Sequence, residues 1–266
     1  MPNARTRGFA SLAYRDPRAV LVDLRRAERE VATLDVPFAV RNLRTRDLRP
    51  LRELREACAF CYGMSECTGQ KFYVAHVEVQ DYDAVAMWVR DDVQSFAPIQ
   101  IKEVVPHEVN PAASVQPVID GLKKYANSQD LTVAIHLNRM VKGFNPSEIS
   151  VPRLNIAALW MFGAIARDQS RWAIWGNFLG ELEAAEFSYP TYRRATAERA
   201  GSHGWTCATL GCRDSRAYWS ERGIKRSFCG LSLVHQVLRE GRVRGSVYAR
   251  EPLPQSALLL QETRRH

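Results

Sequence analysis

The stretch Lys71–Gln80 (KFYVAHVEVQ) decides the fold class. Before it the apolar residues recur at the spacing of a helix, and within it they recur at every second position, as in a strand. It is rich in Tyr, Phe and Val, which favour strands. Two similar stretches follow, Ala84–Val89 (AVAMWV) and Pro98–Val105 (PIQIKEVV), separated by a polar loop at Arg90–Ala97. Together they predict an antiparallel three-strand meander.

The elements on either side of these strands predict helices and one more strand. Pro50 is expected to open a helix that runs to about Tyr62, and Pro111 a helix that runs to about Tyr125. Pro117 is expected to kink this second helix or delay its start. Leu131–Leu137 (LTVAIHL) is nearly all apolar, which is typical of a strand buried on both faces. We therefore predict an α/β (α+β) fold: a mixed sheet of the meander plus a further strand, flanked by helices.

The rest of the chain suggests three regions. Residues 1–45 form a basic helical extension, whose helix starts at Asp16-Pro17, and residues 46–190 form the α/β core. Within the core, a hairpin is favoured at about 159–176, although residues 155–166 could equally form a buried helix. A short helix is expected at Phe178–Phe187. Residues 191–266 form an Arg-rich, partly irregular tail, for which a basic arm, a zinc-binding piece and a reading-frame artefact all stay open.

Composition and charge limit the classes of function. The 266 residues are 46% hydrophobic and 25% charged, which excludes collagen-like and wholly disordered chains. The formal charge is +5 over residues 1–50, −5 over 51–190 and +8 over 191–266. An acidic centre suits divalent cations, and basic flanks attract polyanions. The sequence lacks the P-loop, Rossmann, zincin and nucleophile-elbow motifs.

The apolar runs and the cysteines suggest a reduced, cytoplasmic protein without a membrane span. The longest apolar run, Ile156–Ala166, is shorter than the roughly 20 residues that span a bilayer. Zinc is not expected, because the first cysteine cluster has only three ligands and lies partly on a predicted helix, and the second matches the spacing of no common zinc finger. The two clusters are Cys58, Cys61 and Cys67, and His203, Cys207, Cys212 and Cys229. Of the six histidines, His76 and His136 fall in predicted strands and are expected to be ordinary core or surface residues.

Asp83 and the segment Gln100-Ile101-Lys102 are the candidate catalytic residues. Alternate residues of a strand share a face, so Gln100 and Lys102 point together while Ile101 points into the core. Asp83 lies at the open end of the neighbouring predicted strand, and a tight meander brings it beside them. A carboxylate and an amide oxygen can hold Mg²⁺, and a nearby ammonium can position the attacking water. Phosphodiester hydrolysis needs this set of groups.

This order of elements and residues resembles the PD-(D/E)XK, or restriction-endonuclease-like, nuclease superfamily over about residues 50–138. The resemblance implies a Mg²⁺ (or Mn²⁺) ion bound by Asp83 and Gln100, with Lys102 and a helix glutamate assisting. Either Glu53 or Glu56 could be that glutamate. Gln100 replaces the usual acid, Tyr82 replaces the usual proline, and Asp81 could substitute for Asp83.

The resemblance implies a metal-dependent nuclease that acts on nucleic acid, with DNA as the expected substrate. Lys123 and Lys124, at the end of the second predicted helix, could contact a DNA backbone. They could also simply favour the C-terminus of that helix. A binding module without catalysis, a degenerate nuclease fold and a protein with no polyanion partner are the alternatives.

Overall fold

The computed structural model describes residues 4–77, 81–125, 128–139 and 144–191. The helices are α1 (Ala4–Ala10), α2 (Pro17–Ala32), α3 (Phe38–Arg41), α4 (Arg49–Thr68) and α5 (Val115–Asp120), with 3₁₀ turns at Arg46–Leu48, Gly121–Lys124 and Pro146–Glu148. The strands are β1 (Phe72–His76), β2 (Ala84–Arg90), β3 (Val93–Val104), β4 (Ser128–Leu137), β5 (Ile156–Ala164), β6 (Arg171–Gly176) and β7 (Glu183–Ser188).

The seven strands form one mixed sheet in the order in which they occur in the chain. Strands β1, β2 and β3 pair antiparallel, β4 joins β3 in parallel, and β5 joins β4 in parallel. Strands β6 and β7 complete the sheet with antiparallel pairings. The prediction of a mixed α/β sheet flanked by helices is confirmed, and so is the hairpin that β5 and β6 form.

Helix α4 covers one face of the sheet and α5 covers the other. Ile101 of β3 packs with α4 in one hydrophobic cluster, whereas Val104 of β3 packs with Ile119 and Leu122 in another. Strand β4 contributes to both clusters, so it is buried on both faces as predicted. Since side chains alternate along β3, Gln100 lies on the α5 face.

Helix α2 packs on the outer side of α4. Its start agrees with the sequence signal: the Asp16 side chain accepts a hydrogen bond from the Arg18 amide at 2.8 Å, and Pro17 follows. Leu24 and Leu51 meet in a third cluster between the two helices. This contact places arginines of α2 above one end of the sheet. Among the described residues, no helix has the length and apolar character needed to cross a bilayer.

The structure corrects three local predictions. Helix α5 begins only at Val115, because Pro117 delays its start. The predicted loop Arg90–Ala97 is mostly strand: Asp91 and Asp92 adopt positive φ angles of 50° and 61°, which a two-residue hairpin turn requires. The predicted helix Phe178–Phe187 is wrong, since β7 pairs with β6 and buries Phe187 against α4.

Candidate functional site

Asp83 lies immediately before β2, directly beside Gln100 of β3. Its backbone amide donates a hydrogen bond to the Ile99 carbonyl at 2.9 Å, which extends the β2–β3 pairing by one residue. Its carboxylate Oδ2 accepts a hydrogen bond from the Ile101 amide at 2.7 Å and another from the Gln100 side-chain nitrogen. The sheet therefore holds Asp83 and Gln100 in contact, as the strand register predicts.

Tyr125 connects Gln100 with two lysines. The Tyr125 hydroxyl donates a hydrogen bond to Gln100 Oε1 at 3.2 Å. The Lys102 Nζ lies 5.8 Å from the centre of the Tyr125 ring, and the Lys124 Nζ lies 5.2 Å from it. Lys123 is exposed and pairs with Asp120 at 3.8 Å. Of the two predicted DNA-binding lysines, Lys124 thus lies beside the Tyr125 ring, whose hydroxyl contacts Gln100.

Glu53 of α4 lies near enough for its charge to act on Asp83 and Lys102, so we include it in a group that we call the Asp83 cluster: Glu53, Asp83, Gln100, Lys102 and Tyr125. The Glu53 carboxylate accepts a hydrogen bond from Arg49 Nε at 2.6 Å, and its other oxygen lies 3.9 Å from His76 Nε2. The pKa of Glu53 lies below its ordinary value, chiefly because of His76, with Arg49 adding to the effect. Glu53 is therefore ionised at neutral pH.

Burial opposes the charges of both Asp83 and Lys102. The pKa of Asp83 is raised, first by burial and further by the nearby negative charge of Glu53. The pKa of Lys102 is lowered, mainly by burial, and Arg49 adds to that effect. Both shifts favour the neutral forms, and groups with shifted pKa values are common at sites of hydrolysis.

Glu56 lies away from Asp83, in a separate buried cluster. Its Oε1 is 3.2 Å from Nδ1 of His136, and both side chains are about 5% exposed or less. Together with Glu103 they offer three ligand atoms that all lie within 4.8 Å of one another. Between the two helix glutamates that the sequence left open, the structure brings Glu53 to the Asp83 cluster, not Glu56.

Glu103 has strong partners of its own. Its two oxygens accept hydrogen bonds from Arg44 at 2.5 and 2.8 Å, and Asn138 donates a third at 2.6 Å. Burial by itself raises the pKa of Glu103, but the Arg44 and Asn138 hydrogen bonds outweigh burial and hold it below its ordinary value. A metal ion bound here would have to compete with these partners for the oxygens of Glu103.

Replacing Glu103 with glutamine should destabilise the fold by about 3 kcal/mol, because it leaves the largely but not fully buried Arg44 without its counter-charge. The folded-state pKa of Glu103 is depressed, so its stabilisation is present above pH 4.5 and is lost as the pH falls through the folded value. Thermal unfolding at neutral and acidic pH would measure both effects. Glu186→Gln, in an exposed pair with Arg171, is the control and should change stability by under about 1 kcal/mol. An equal loss in both variants would contradict this role.

The described residues supply no zinc site built from cysteine. Cys58 and Cys61 lie on the buried face of α4, and burial raises the pKa of both thiols. The second candidate set, His203, Cys207, Cys212 and Cys229, lies outside the described residues. Asp81 is exposed, unlike Asp83.

Sequence reasoning missed three residues around Asp83. Tyr125 carries no motif, and only its place at the end of the predicted helix could have indicated it. His76 was expected to be an ordinary strand residue, yet its ring lies beside Glu53. Arg49 stands four residues before Glu53, a spacing that predicts an ion pair on a helix.

The donor set of the Asp83 cluster suits a hard cation: two carboxylates and an amide oxygen, with an amine beside them. Comparisons with protein-family models, with curated proteins and with solved structures found no match to this chain. The function must therefore be argued from these residues.

Proposed function

We propose that this chain is a Mg²⁺-dependent nuclease of the restriction-endonuclease-like superfamily, and that it hydrolyses phosphodiester bonds of DNA. The observation that carries the proposal is the contact of Asp83 with Gln100 at one end of β2, with Glu53 and Lys102 close enough to shift the pKa of Asp83. These are the residue types that this chemistry needs, brought together from one helix and two strands.

The order of elements supports the superfamily assignment. Helix α4, strands β1 to β3, helix α5 and strand β4 follow one another as in the superfamily's core, and β4 lies parallel to β3. Asp83 stands immediately before β2, and the Gln-x-Lys segment lies on β3. This placement is the one that the resemblance implies for the metal-binding residues.

Each residue of the Asp83 cluster has a defined role in the proposed mechanism. Asp83, Glu53 and the Gln100 side-chain oxygen would hold Mg²⁺, which would activate a water molecule and stabilise negative charge on the phosphate. Lys102, whose pKa is lowered by burial, would orient that water and take its proton. Lys124 and the Tyr125 hydroxyl would position the substrate phosphate.

The Ile101 amide fixes the carboxylate of Asp83 in this arrangement. It donates to Oδ2, which leaves Oδ1 for a cation. The Gln100 amide donates to the same Oδ2, so binding a cation through its oxygen requires the amide group to turn over. This rotation of the amide group would place the Gln100 nitrogen beside the Tyr125 hydroxyl and the Gln100 oxygen beside Asp83, without moving the backbone.

A DNA-binding module without catalysis is the second candidate, and Gln100 favours it. A neutral amide in place of a carboxylate weakens the attraction for Mg²⁺. The net charge of +8 would still attract a polyanion.

One assay distinguishes three possibilities: a nuclease, a DNA-binding module without catalysis, and a protein that does not bind nucleic acid. The full-length chain is incubated with supercoiled and linear DNA, in Mg²⁺ or EDTA, over a series of salt concentrations. The nuclease predicts cleavage in Mg²⁺ that EDTA abolishes. Binding that weakens with salt, without cleavage, would support the binding module. Neither cleavage nor salt-sensitive binding would reject both candidates.

A further inference from the structure

A second polar cavity lies on the α4 side of the sheet, at the end of β4. It has a volume of about 680 Å³ and is bounded by α2, α3, the residues after His136, and the turn between β5 and β6. None of the residues of the Asp83 cluster lines it. The size is within the range of small-molecule sites, which is about 300–1,000 Å³.

Arginine dominates the wall of this cavity. Seven arginines line it, against the three acids Glu28, Glu108 and Asp168. Glu103 lies behind the wall, where it pairs with Arg44. The arginines therefore outnumber the acids even when Glu103 is counted, so the cavity attracts an anion.

The inner arginines are held in fixed positions. Arg44 is bound through both of its terminal nitrogens by Glu103. Arg55 Nε lies 3.0 Å from Glu28, and its terminal nitrogen donates to the side chain of Gln169 at 2.9 Å. Because their side chains are only 14–16% exposed, these guanidinium groups lose little freedom when a ligand binds.

Three further arginines lie at the rim and have no acidic partner in the described part of the chain: Arg29, Arg41 and Arg167. All three are exposed. Charge that no local acid neutralises is available to a phosphate group, which arginine binds through two parallel hydrogen bonds.

An exposed aromatic ring at the same rim suggests that the ligand has a flat aromatic group as well as a phosphate. Phe38 lines the cavity, yet 58% of its surface is exposed, which is unusual for phenylalanine. A flat apolar ring beside an array of arginines suits a nucleobase attached to phosphate, because bases stack on aromatic side chains. We infer that this cavity binds a nucleotide, with its phosphates on the rim arginines and its base on Phe38. This site is additional to the proposed nuclease site and does not depend on it.

The test measures binding of ATP and AMP to the full-length chain by calorimetry, in EDTA so that cleavage does not interfere. The triple variant Arg29→Ala, Arg41→Ala, Arg167→Ala should weaken ATP binding by about tenfold or more. The control removes the same charge from three exposed arginines outside the cavity, by Arg46→Ala, Arg90→Ala and Arg171→Ala. It should change binding by under about threefold.

Phe38→Ala tests the base separately from the phosphates. This substitution should weaken the binding of ATP by about fivefold or more and leave the binding of inorganic tripolyphosphate unchanged. A single-stranded oligonucleotide with a 5′-phosphate, compared with its 5′-hydroxyl form, distinguishes the end of a strand from a free nucleotide as the source. Preference for the phosphorylated oligonucleotide over AMP and ATP would assign the site to strand ends, and the reverse to free nucleotides.

Three results would overturn the inference. They are no binding of any of these nucleotides at ~1 mM, equal losses in the two triple variants, or equal effects of Phe38→Ala on ATP and tripolyphosphate. Asp83→Asn should bind ATP as the unaltered chain does, since Asp83 lies outside the cavity. A failure of the nuclease proposal would therefore leave the result of this test intact.

Discussion

Asp83→Asn is expected to reduce Mg²⁺-dependent DNA cleavage by on the order of 10³-fold, or about 4 kcal/mol of transition-state stabilisation. Asparagine keeps the size of the side chain and an oxygen that can accept the Ile101 hydrogen bond, but it removes the negative charge that would hold the cation. The measurement is the initial rate of supercoiled DNA cleavage under identical Mg²⁺ and salt conditions.

The same substitution should leave the fold intact. Because the pKa of Asp83 is raised by burial, its stabilising form is the protonated one, and that contribution is lost as the pH rises through the folded-state value. At neutral pH a neutral asparagine removes an unfavourable buried charge, so the unfolding free energy should be unchanged within about 1 kcal/mol or slightly higher.

Asp81→Asn is the matched control for Asp83→Asn. Asp81 is exposed and two residues away, and its substitution makes the same change of charge. It should retain cleavage to within about threefold. If Asp81→Asn abolished cleavage while Asp83→Asn retained it, the assignment of the metal-binding aspartate would be wrong.

Lys102→Met is expected to reduce cleavage by about 10²-fold to 10⁴-fold, the range that proton transfer by a positioned side chain contributes. Methionine fills much of the space of the buried alkyl chain but supplies no amine. Burial lowers the pKa of Lys102, so the neutral amine is populated at lower pH than for an exposed lysine. The cleavage rate should accordingly rise with pH through that lowered value.

Lys102→Arg distinguishes proton transfer from simple charge stabilisation. Arginine keeps the positive charge but does not deprotonate in proteins, so it cannot take a proton from water. If Lys102 acts as a base, the arginine variant should be as inactive as the methionine variant and should lose the rise with pH. Full activity in Lys102→Arg would show that charge alone matters.

The fold of the central region was predictable because its signals are local. Residues 131–137 of β4 are almost entirely apolar, and the change of spacing at Lys71 marks the start of the strands. The errors arose where tertiary pairing overrides local preference. Residues 93–97 (VQSFA) follow the polar residues 90–92 but extend β3 because they pair with β2. Residues 183–188 join the sheet because Phe187 finds a buried position beside α4.

The candidate site was predictable only in part, for geometrical reasons. Asp83 and Gln100 come together through strand register, which a sequence pattern can anticipate. Glu53 and Glu56 are three residues apart and share a face of α4, so the sequence pattern cannot separate them. Which of them reaches Asp83 depends on the rotation of α4 over the sheet. Tyr125 reaches Gln100 from the connection after α5. The arginine-lined cavity is formed by α2, α3 and the β5–β6 turn, which are far apart in the chain. Neither feature therefore has a local sequence motif that could have predicted it.

The most direct test of the central claim, a divalent cation held by the Asp83 cluster, is a titration with Mn²⁺ followed by electron paramagnetic resonance. The chain should bind Mn²⁺, Asp83→Asn should lose that binding, Glu53→Gln should weaken it, and Asp81→Asn should retain it. Glu56→Gln should also retain it, because Glu56 lies in the separate cluster with His136. If no Mn²⁺ binds, or if Asp83→Asn binds it as tightly as the unaltered chain, the proposed cation site is contradicted.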